Sequence, residues 1–385
     1  MRKNYNRFSE ENNFILDFIH PEPVRSINYS ISQLNWDYII HFSERHGISG
    51  LILKNILKSR FFNAFTEDNI KPLENIYCQT IAANSNKIFV CEKLVKFANT
   101  KNLPVIPLKG IFLAPHIYKD IGLRPMSDID ILVKKQHLEF FEKYLFNSGF
   151  EKTTHIKSKY IDEFNFLHHL PAYVKKDIII EIHYRLGSTP IDFNNSLNNI
   201  WDRSQLLRKD NLKFYSFTAE DLLIYQCYHT YKHFKSGKLR LCHFCDIPKI
   251  LNHYTNTINW SVLHHLSDSY NLLPALKNIF GICNTYFGTR LPDEYYYLFR
   301  PDLKKNTERK FIRFMAEKKI SSQSIFSFLS RVKSIKATRY KIYYMLFTIF
   351  PSPEFIQFKY NLNKKWKTVF YYPLRIIKAL LNIII

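Results

Sequence analysis

Seven consecutive residues, Ser127-Asp128-Ile129-Asp130-Ile131-Leu132-Val133, set the tightest limit on how this chain folds. The β-branched content reads as a strand, and along a strand successive side chains point to opposite faces. Ile129, Ile131 and Val133 then share a core face, while Asp128 and Asp130 project together from the other. Two carboxylates so placed repel each other, and the arrangement makes sense when a cation lies between them. A pair of acids on an exposed edge strand would need no ligand at all, and the D-x-D pattern is common enough that the neighbouring segments must decide.

Those segments favour a cation. Ile178-Ile179-Ile180-Glu181-Ile182-His183 is a second apolar strand in which Glu181 is the one acid, and a buried carboxylate without a partner is costly. Asp128, Asp130 and Glu181 together make the ligand set of a two-metal site, in which ions roughly 3.5–4 Å apart activate an attacking oxygen and neutralise a leaving phosphate. Leu103-Pro104-Val105-Ile106-Pro107-Leu108 reads as a further strand, followed at once by Lys109-Gly110 in what reads as a loop. Glycine permits close approach of backbone to phosphate, lysine adds charge, and Arg124 adds a planar fork suited to a triphosphate. Solvated surface charge is the competing reading for each of the basic residues.

Leu108-Lys109-Gly110, the run Arg124–Val133, and Ile180-Glu181-Ile182-His183-Tyr184-Arg185-Leu186 resemble the uncharacterised nucleotidyltransferase family of the DNA polymerase beta-like superfamily. The resemblance spans residues 103–186 and implies a small mixed sheet with the D-x-D strand at its heart and Glu181 as third metal ligand. The residues and the resemblance together lead to Mg²⁺ or Mn²⁺ as expected cofactor and an NTP as expected donor, and the residues themselves suggest Lys109, Gly110, Arg124 and Ser127 for binding the nucleotide. The sequence also departs from the superfamily. Lys109-Gly110 stands where a Gly-Ser phosphate loop is usual, and 17 residues separate Gly110 from Asp128.

Around this core the texture is helical. Apolar residues recur at three- and four-residue spacing through Phe14, Ile15, Phe18, Ile39, Ile40, Leu51, Ile52 and Ile56, and Ile76–Phe97 reads as one long helix. His137–Ser148 reads as an amphipathic helix stopped at Gly149, and Phe164–Val174 with Ile178–Leu186 as a hairpin about Lys175-Lys176-Asp177. Thr218-Ala219-Glu220-Asp221 opens a helical stretch that runs, with interruptions, to Pro351 and Pro353. The expected fold is α/β of the α+β kind. It comprises a helical unit over 1–100, a nucleotidyltransferase core over 101–190, a second helical unit over 191–350, and a basic, apolar tail over 351–385.

Charge is uneven. Residues 301–385 hold 18 Lys and Arg against 4 Asp and Glu, whereas residues 1–300 hold 37 against 29. Such an excess suits an anionic surface, and Arg375, Lys378 and Asn382 share one face of an apolar helix at Leu374–Ile385. That helix either lies on an anionic membrane or docks on the protein itself. The core is not strongly basic and carries no RNA-binding module, so nucleic acid is not the favoured partner. No apolar run is long enough to span a bilayer and no secretory signal is visible, which places the protein in the cytoplasm, peripheral to the membrane if the tail binds there.

Other constellations compete weakly. His229 and His233 with Cys242 and Cys245 have spacings suited to tetrahedral zinc, or are packed polar residues of aromatic-rich helices. His168 and His169 face Glu181 across the expected hairpin as substrate contacts, a base, or structural groups. A D-x-D glycosyltransferase would place about 100 residues of alternating strands and helices before the motif, where this chain reads as helical. A non-catalytic binding protein of the same fold would be expected to lose a metal carboxylate, and all three acids are present. The acceptor is not named by the sequence.

Overall fold

The computed structural model describes residues 7–153 except 23 and 25, residues 169–187, 197–299 and 303–316, and scattered positions between 342 and 374. His168, Arg375, Lys378 and Asn382 lie outside the described residues, as does the first part of the expected hairpin.

Four helices precede the sheet: α1 (Glu10–Phe18), α2 (Trp36–His46), α3 (Ser49–Leu57) and α4 (Glu67–Thr100). Side-chain caps start α1 and α2, from Ser9 to the Asn12 amide and from Asn35 to the Tyr38 amide. The last of the four begins nine residues before the periodicity suggests, because Pro72 falls within its first two turns and does not break it. It ends where Asn102 turns left-handed (φ 52°) into the first strand.

The sheet has five strands: β1 (Val105–Leu108), β2 (Ile129–Val133), β3 (Glu151–Lys152), β4 (Tyr173–Lys175) and β5 (Ile178–His183), in the spatial order β1-β2-β5-β4-β3. Only β2 and β5 run parallel; the remaining pairs are antiparallel. The first two strands are buried along their whole length, as expected for strands covered on both faces. Between β1 and β2 lie α5 (Lys109–Leu113), a wider π-type turn at Ala114–Tyr118, and a loop to Asp128. Lys109-Gly110 therefore opens a helix rather than forming a loop. A Cβ on Gly110 would sit 2.7 Å from Met126 Cβ, so the glycine is there to let helix and loop touch.

α6 (Leu138–Asn147) ends as foreseen: Gly149 adopts φ 77° while the Phe150 amide donates back to Leu145 O. It packs on the long fourth helix through Phe97, stacked on Tyr144 at 4.2 Å and edge-on to Phe141. The hairpin β4–β5 turns tightly at Lys176 (φ 51°) and Asp177, with Lys175 still in the strand.

Beyond residue 196 the structure departs from a purely helical reading. After α7 (Leu197–Arg203) comes a two-stranded hairpin, β6 (Gln205–Lys209) and β7 (Leu212–Ser216), tied to the end of α4 by both amide directions of Asn99 to Lys213. The helices that follow are α8 (Ala219–Ser236), α9 (Leu241–His253), α10 (Trp260–Ser269), α11 (Leu273–Tyr286), α12 (Asp293–Phe299) and α13 (Lys305–Ala316). Thr218 caps α8 through the Asp221 amide, as its sequence indicates. One connected cluster of buried side chains includes Phe14, Ile131 and Phe280, so both helical regions and the sheet share a core.

Candidate active site

The in-register pairing of the two parallel strands builds the site. Asp130 lies opposite Glu181, and Leu132 opposite His183. Residues paired across adjacent strands present their side chains on the same face, so Asp130, Glu181 and His183 converge. One ligand atom from each lies within 4.8 Å of the other two. Asp130 is 1% exposed and His183 fully buried, whereas Glu181 keeps partial access.

Two cationic or donor groups hold Asp130. Lys109 Nζ lies 2.7 Å from Asp130 Oδ1, and His183 Nε2 lies 2.7 Å from the same oxygen. Lys109 follows the β1 residue that pairs with Asp130, and its left-handed backbone (φ 51°) turns the side chain back over that partner. Such a conformation costs a non-glycine residue roughly 1–2 kcal/mol, which an ion pair in low dielectric offsets. Burial works against charge on both partners, yet Lys109 and His183 carry the Asp130 carboxyl well below the usual carboxylate range, and Asp130 raises the lysine in turn. Burial would raise Glu181 as well; the hydrogen bond from His183 and the nearby His169 bring it down instead. His183 Nε2 is 3.5 Å from Glu181 Oε2, and His169 Nε2 is 3.7 Å from it.

Asp128 stands differently from its sequence expectation. It occupies the bend before β2 rather than the strand itself, half-buried, with Ser127 Oγ donating to its Oδ1 at 3.0 Å. Burial and the neighbouring Asp130 and Glu181 push its carboxyl up to about 6, against Lys109 and Ser127. Three carboxylates thus act on one another, with Lys109 bonded to Asp130 and Lys87 near enough to feel Asp128. The excess negative charge and the oxygen-rich donors fit a divalent cation, with His183 as a further donor on the same face.

The remaining expected residues have other partners. Arg124, 5% exposed, gives Nε and Nη2 to the two oxygens of Asp246 at 2.7 and 2.9 Å and Nη1 to Pro125 O, so its fork is engaged inside the protein rather than open to a triphosphate. Asp246 also accepts from Tyr118 Oη at 2.8 Å and Gln226 Nε2 at 2.7 Å. Asn84 of α4 donates to Ile121 O and Arg124 O, which completes the anchoring of the loop that leads to Asp128. The long gap after Gly110 is therefore a clamped structure. Gly110 has a packing role against Met126, as described above.

The suggested zinc ligands do not converge: among the described residues, Asp130, Glu181 and His183 are the group that can present three ligand atoms within 4.8 Å. Cys242 and Cys245 are buried, and His229 and His233 associate instead with His243. The sequence motif by itself gives His183 no role. Strand alternation was the available signal, since His183 follows Glu181 by two residues and shares its face.

A mixed sheet with acids on two adjacent inner strands, flanked by helices, is the arrangement that the sequence resemblance implies. A family model described as an uncharacterised nucleotidyltransferase matches residues 32–288, two thirds of the chain, and the chain belongs to that family. No curated protein and no solved structure gives a match. Among the described residues no helix is long and apolar enough to cross a membrane.

Proposed function

We propose that this chain transfers a nucleoside monophosphate from an NTP to an acceptor hydroxyl, with Asp128, Asp130 and Glu181 holding the divalent metal. The observation that carries this reading is the register that sets Asp130 beside Glu181, with both acids near enough to Asp128 to raise its carboxyl. Mg²⁺ or Mn²⁺ bound there would supply neutralisation of the triphosphate and a more acidic acceptor hydroxyl. Lys109 and His183 fix the orientation of Asp130, and Ser127 fixes that of Asp128. The acceptor oxygen bonds to the α-phosphorus, the bond to the bridging oxygen breaks, and pyrophosphate leaves with its electron pair. The hydroxyl proton passes to a carboxylate of the cluster. Arg124 and Gly110 act on the nucleotide only through the loop they position.

The C-terminal segment supports a peripheral position at an anionic membrane. Trp366, Val369 and Phe370 are each more than 60% exposed, and exposed Lys364 and Lys367 flank them. Apolar side chains that enter the headgroup boundary beside lysines that meet anionic lipid would use both features.

The deciding experiment is calorimetric titration of the full chain with each of the four NTPs, with and without Mg²⁺, beside an Asp130→Asn/Glu181→Gln variant. Metal-dependent binding of an NTP that the variant lacks is the expected result. No binding of any NTP under any metal condition overturns the reading.

A further inference from the structure

One nitrogen of His183 is aimed between two acids. Nε2 lies 2.7 Å from Asp130 Oδ1 and 3.5 Å from Glu181 Oε2. Strand alternation brings the ring there, since His183 follows Glu181 by two residues on β5 and shares its face. Neighbours on both sides hold it in place. Leu132 of β2 pairs with His183 on one side, and His169 forms an antiparallel bridge to it on the other, with the two imidazole rings 5.2 Å apart. His183 is fully buried, so close packing fixes where Nε2 points.

The spacing suits a single ion. Ligand atoms about 2.1–2.2 Å from an octahedral ion stand about 3 Å apart when adjacent and about 4.3 Å apart when opposite. One atom each of Asp130, Glu181 and His183 falls within 4.8 Å of the others, and Nε2 need only draw back slightly from Asp130 Oδ1 to admit an ion between them. The donor set is mixed, with carboxylate oxygens beside an imidazole nitrogen. Mg²⁺ is a hard ion that keeps oxygen ligands and gives up its waters reluctantly. Imidazole binds first-row transition ions more strongly, through the neutral ring with its hydrogen on the other nitrogen. Oxygen donors alone would treat Mg²⁺ and Mn²⁺ far more alike.

Resting on the metal-dependent nucleotidyl-transfer reading, we infer that His183 Nε2 is a direct ligand of the divalent cation and makes the site select Mn²⁺ over Mg²⁺. Asp130, Glu181 and His183 share the ion, and His183 keeps its hold on Asp130 through that ion in place of the hydrogen bond. A single side chain on β5 thereby sets which cation the chain carries.

The test takes the full chain without nucleotide, with Mn²⁺ or Mg²⁺ alone as the probe. In pulsed electron paramagnetic resonance, Mn²⁺ bound to wild type should couple to an imidazole nitrogen, and the coupling should change when the histidines carry the heavy nitrogen isotope. It should vanish in His183→Gln, whose amide oxygen can take the same place. Calorimetry should show the preference for Mn²⁺ over Mg²⁺ falling about tenfold or more in that variant. Lost packing alone would weaken both ions together, so the ratio separates a ligand from a structural residue. The wild-type spectrum needs no variant, so misfolding of His183→Gln would leave the test intact. Bound Mn²⁺ without nitrogen coupling in wild type overturns the inference, as does coupling that persists in His183→Gln and so belongs to His169, or an unchanged ratio. Nucleotidyl transfer still stands in those cases if NTP binding depends on the metal. Wild type that binds neither ion, with or without an NTP, overturns both.

Discussion

Two buried acids, Asp246 and Asp130, sit in networks of opposite character. Asp246 receives both arms of Arg124 together with Tyr118 and Gln226, and every one of those groups is enclosed. The charge of Asp246 is balanced by Arg124 inside the protein. Asp130 receives Lys109 and His183 on one oxygen, but Glu181 and Asp128 crowd beside it with a surplus of negative charge and partial access to solvent. The first network is closed and its product is rigidity; the second is open and needs something from outside. The difference shows why a buried charge is not by itself a sign of function, while an unbalanced one is.

The sharpest break of this contrast is Arg124→Met. It leaves Asp246 buried without its counter-charge and should cost about 3–5 kcal/mol in urea unfolding, with loss of activity following only from loss of fold. In the open network, Glu181→Gln should cut nucleotidyl transfer about a hundred- to thousandfold with a far smaller change in unfolding free energy. A comparable stability loss in both would erase the distinction. Gly110→Ala should destabilise by about 1–3 kcal/mol, since the added methyl meets Met126 within the clamped loop.

Acid should reach a third set of groups before it reaches Asp130. Burial holds His46 down to about 3 and His116 and His233 to about 4, below the 6.5 of an unfolded histidine. As pH falls below 6.5 the unfolded chain therefore binds protons that the folded chain does not, and stability is lost down to about pH 4. Each histidine contributes about 1.4 kcal/mol per pH unit within its window, so the urea midpoint at pH 5 should lie well below that at pH 7.5. The smallest effect sharpens the picture most. In metal-free protein Asp128→Asn should be neutral or stabilising by about 1 kcal/mol, because it relieves repulsion among the acids. Added Mg²⁺ should raise the Tm of wild type more than that of the variant, and a chelator should reverse the rise.

What the sequence made legible were features encoded within a few residues. The apolar alternation of Ile129–Val133 and Ile178–His183, the stop at Gly149 and the cap at Thr218 each carry their own local physics. Membership of the nucleotidyltransferase family and the mixed sheet followed from those runs. Arg124 departs from its expected role because its partner lies 122 residues away, and no local pattern announces a bidentate bond at that range. Asp128 left the strand because the anchored loop from Ile121 to Met126 sets its entry angle. The hairpin Gln205–Ser216 lies inside a stretch expected to be helical, for its strands are mostly exposed and lack a marked apolar face.

The register that joins β2 to β5 carries a kinetic consequence. Asp130 and Glu181 meet only when two parallel strands close across all of α6, β3 and β4. Parallel pairing over such a length is slow, because loop entropy must be lost before the contact gives anything back. Helices on either side can form from their own sequence, so a refolding chain should regain its helical circular dichroism before β2 and β5 bring Asp130 beside Glu181. The cluster is in that sense a marker of the finished sheet: its acids meet only once β2 and β5 have paired.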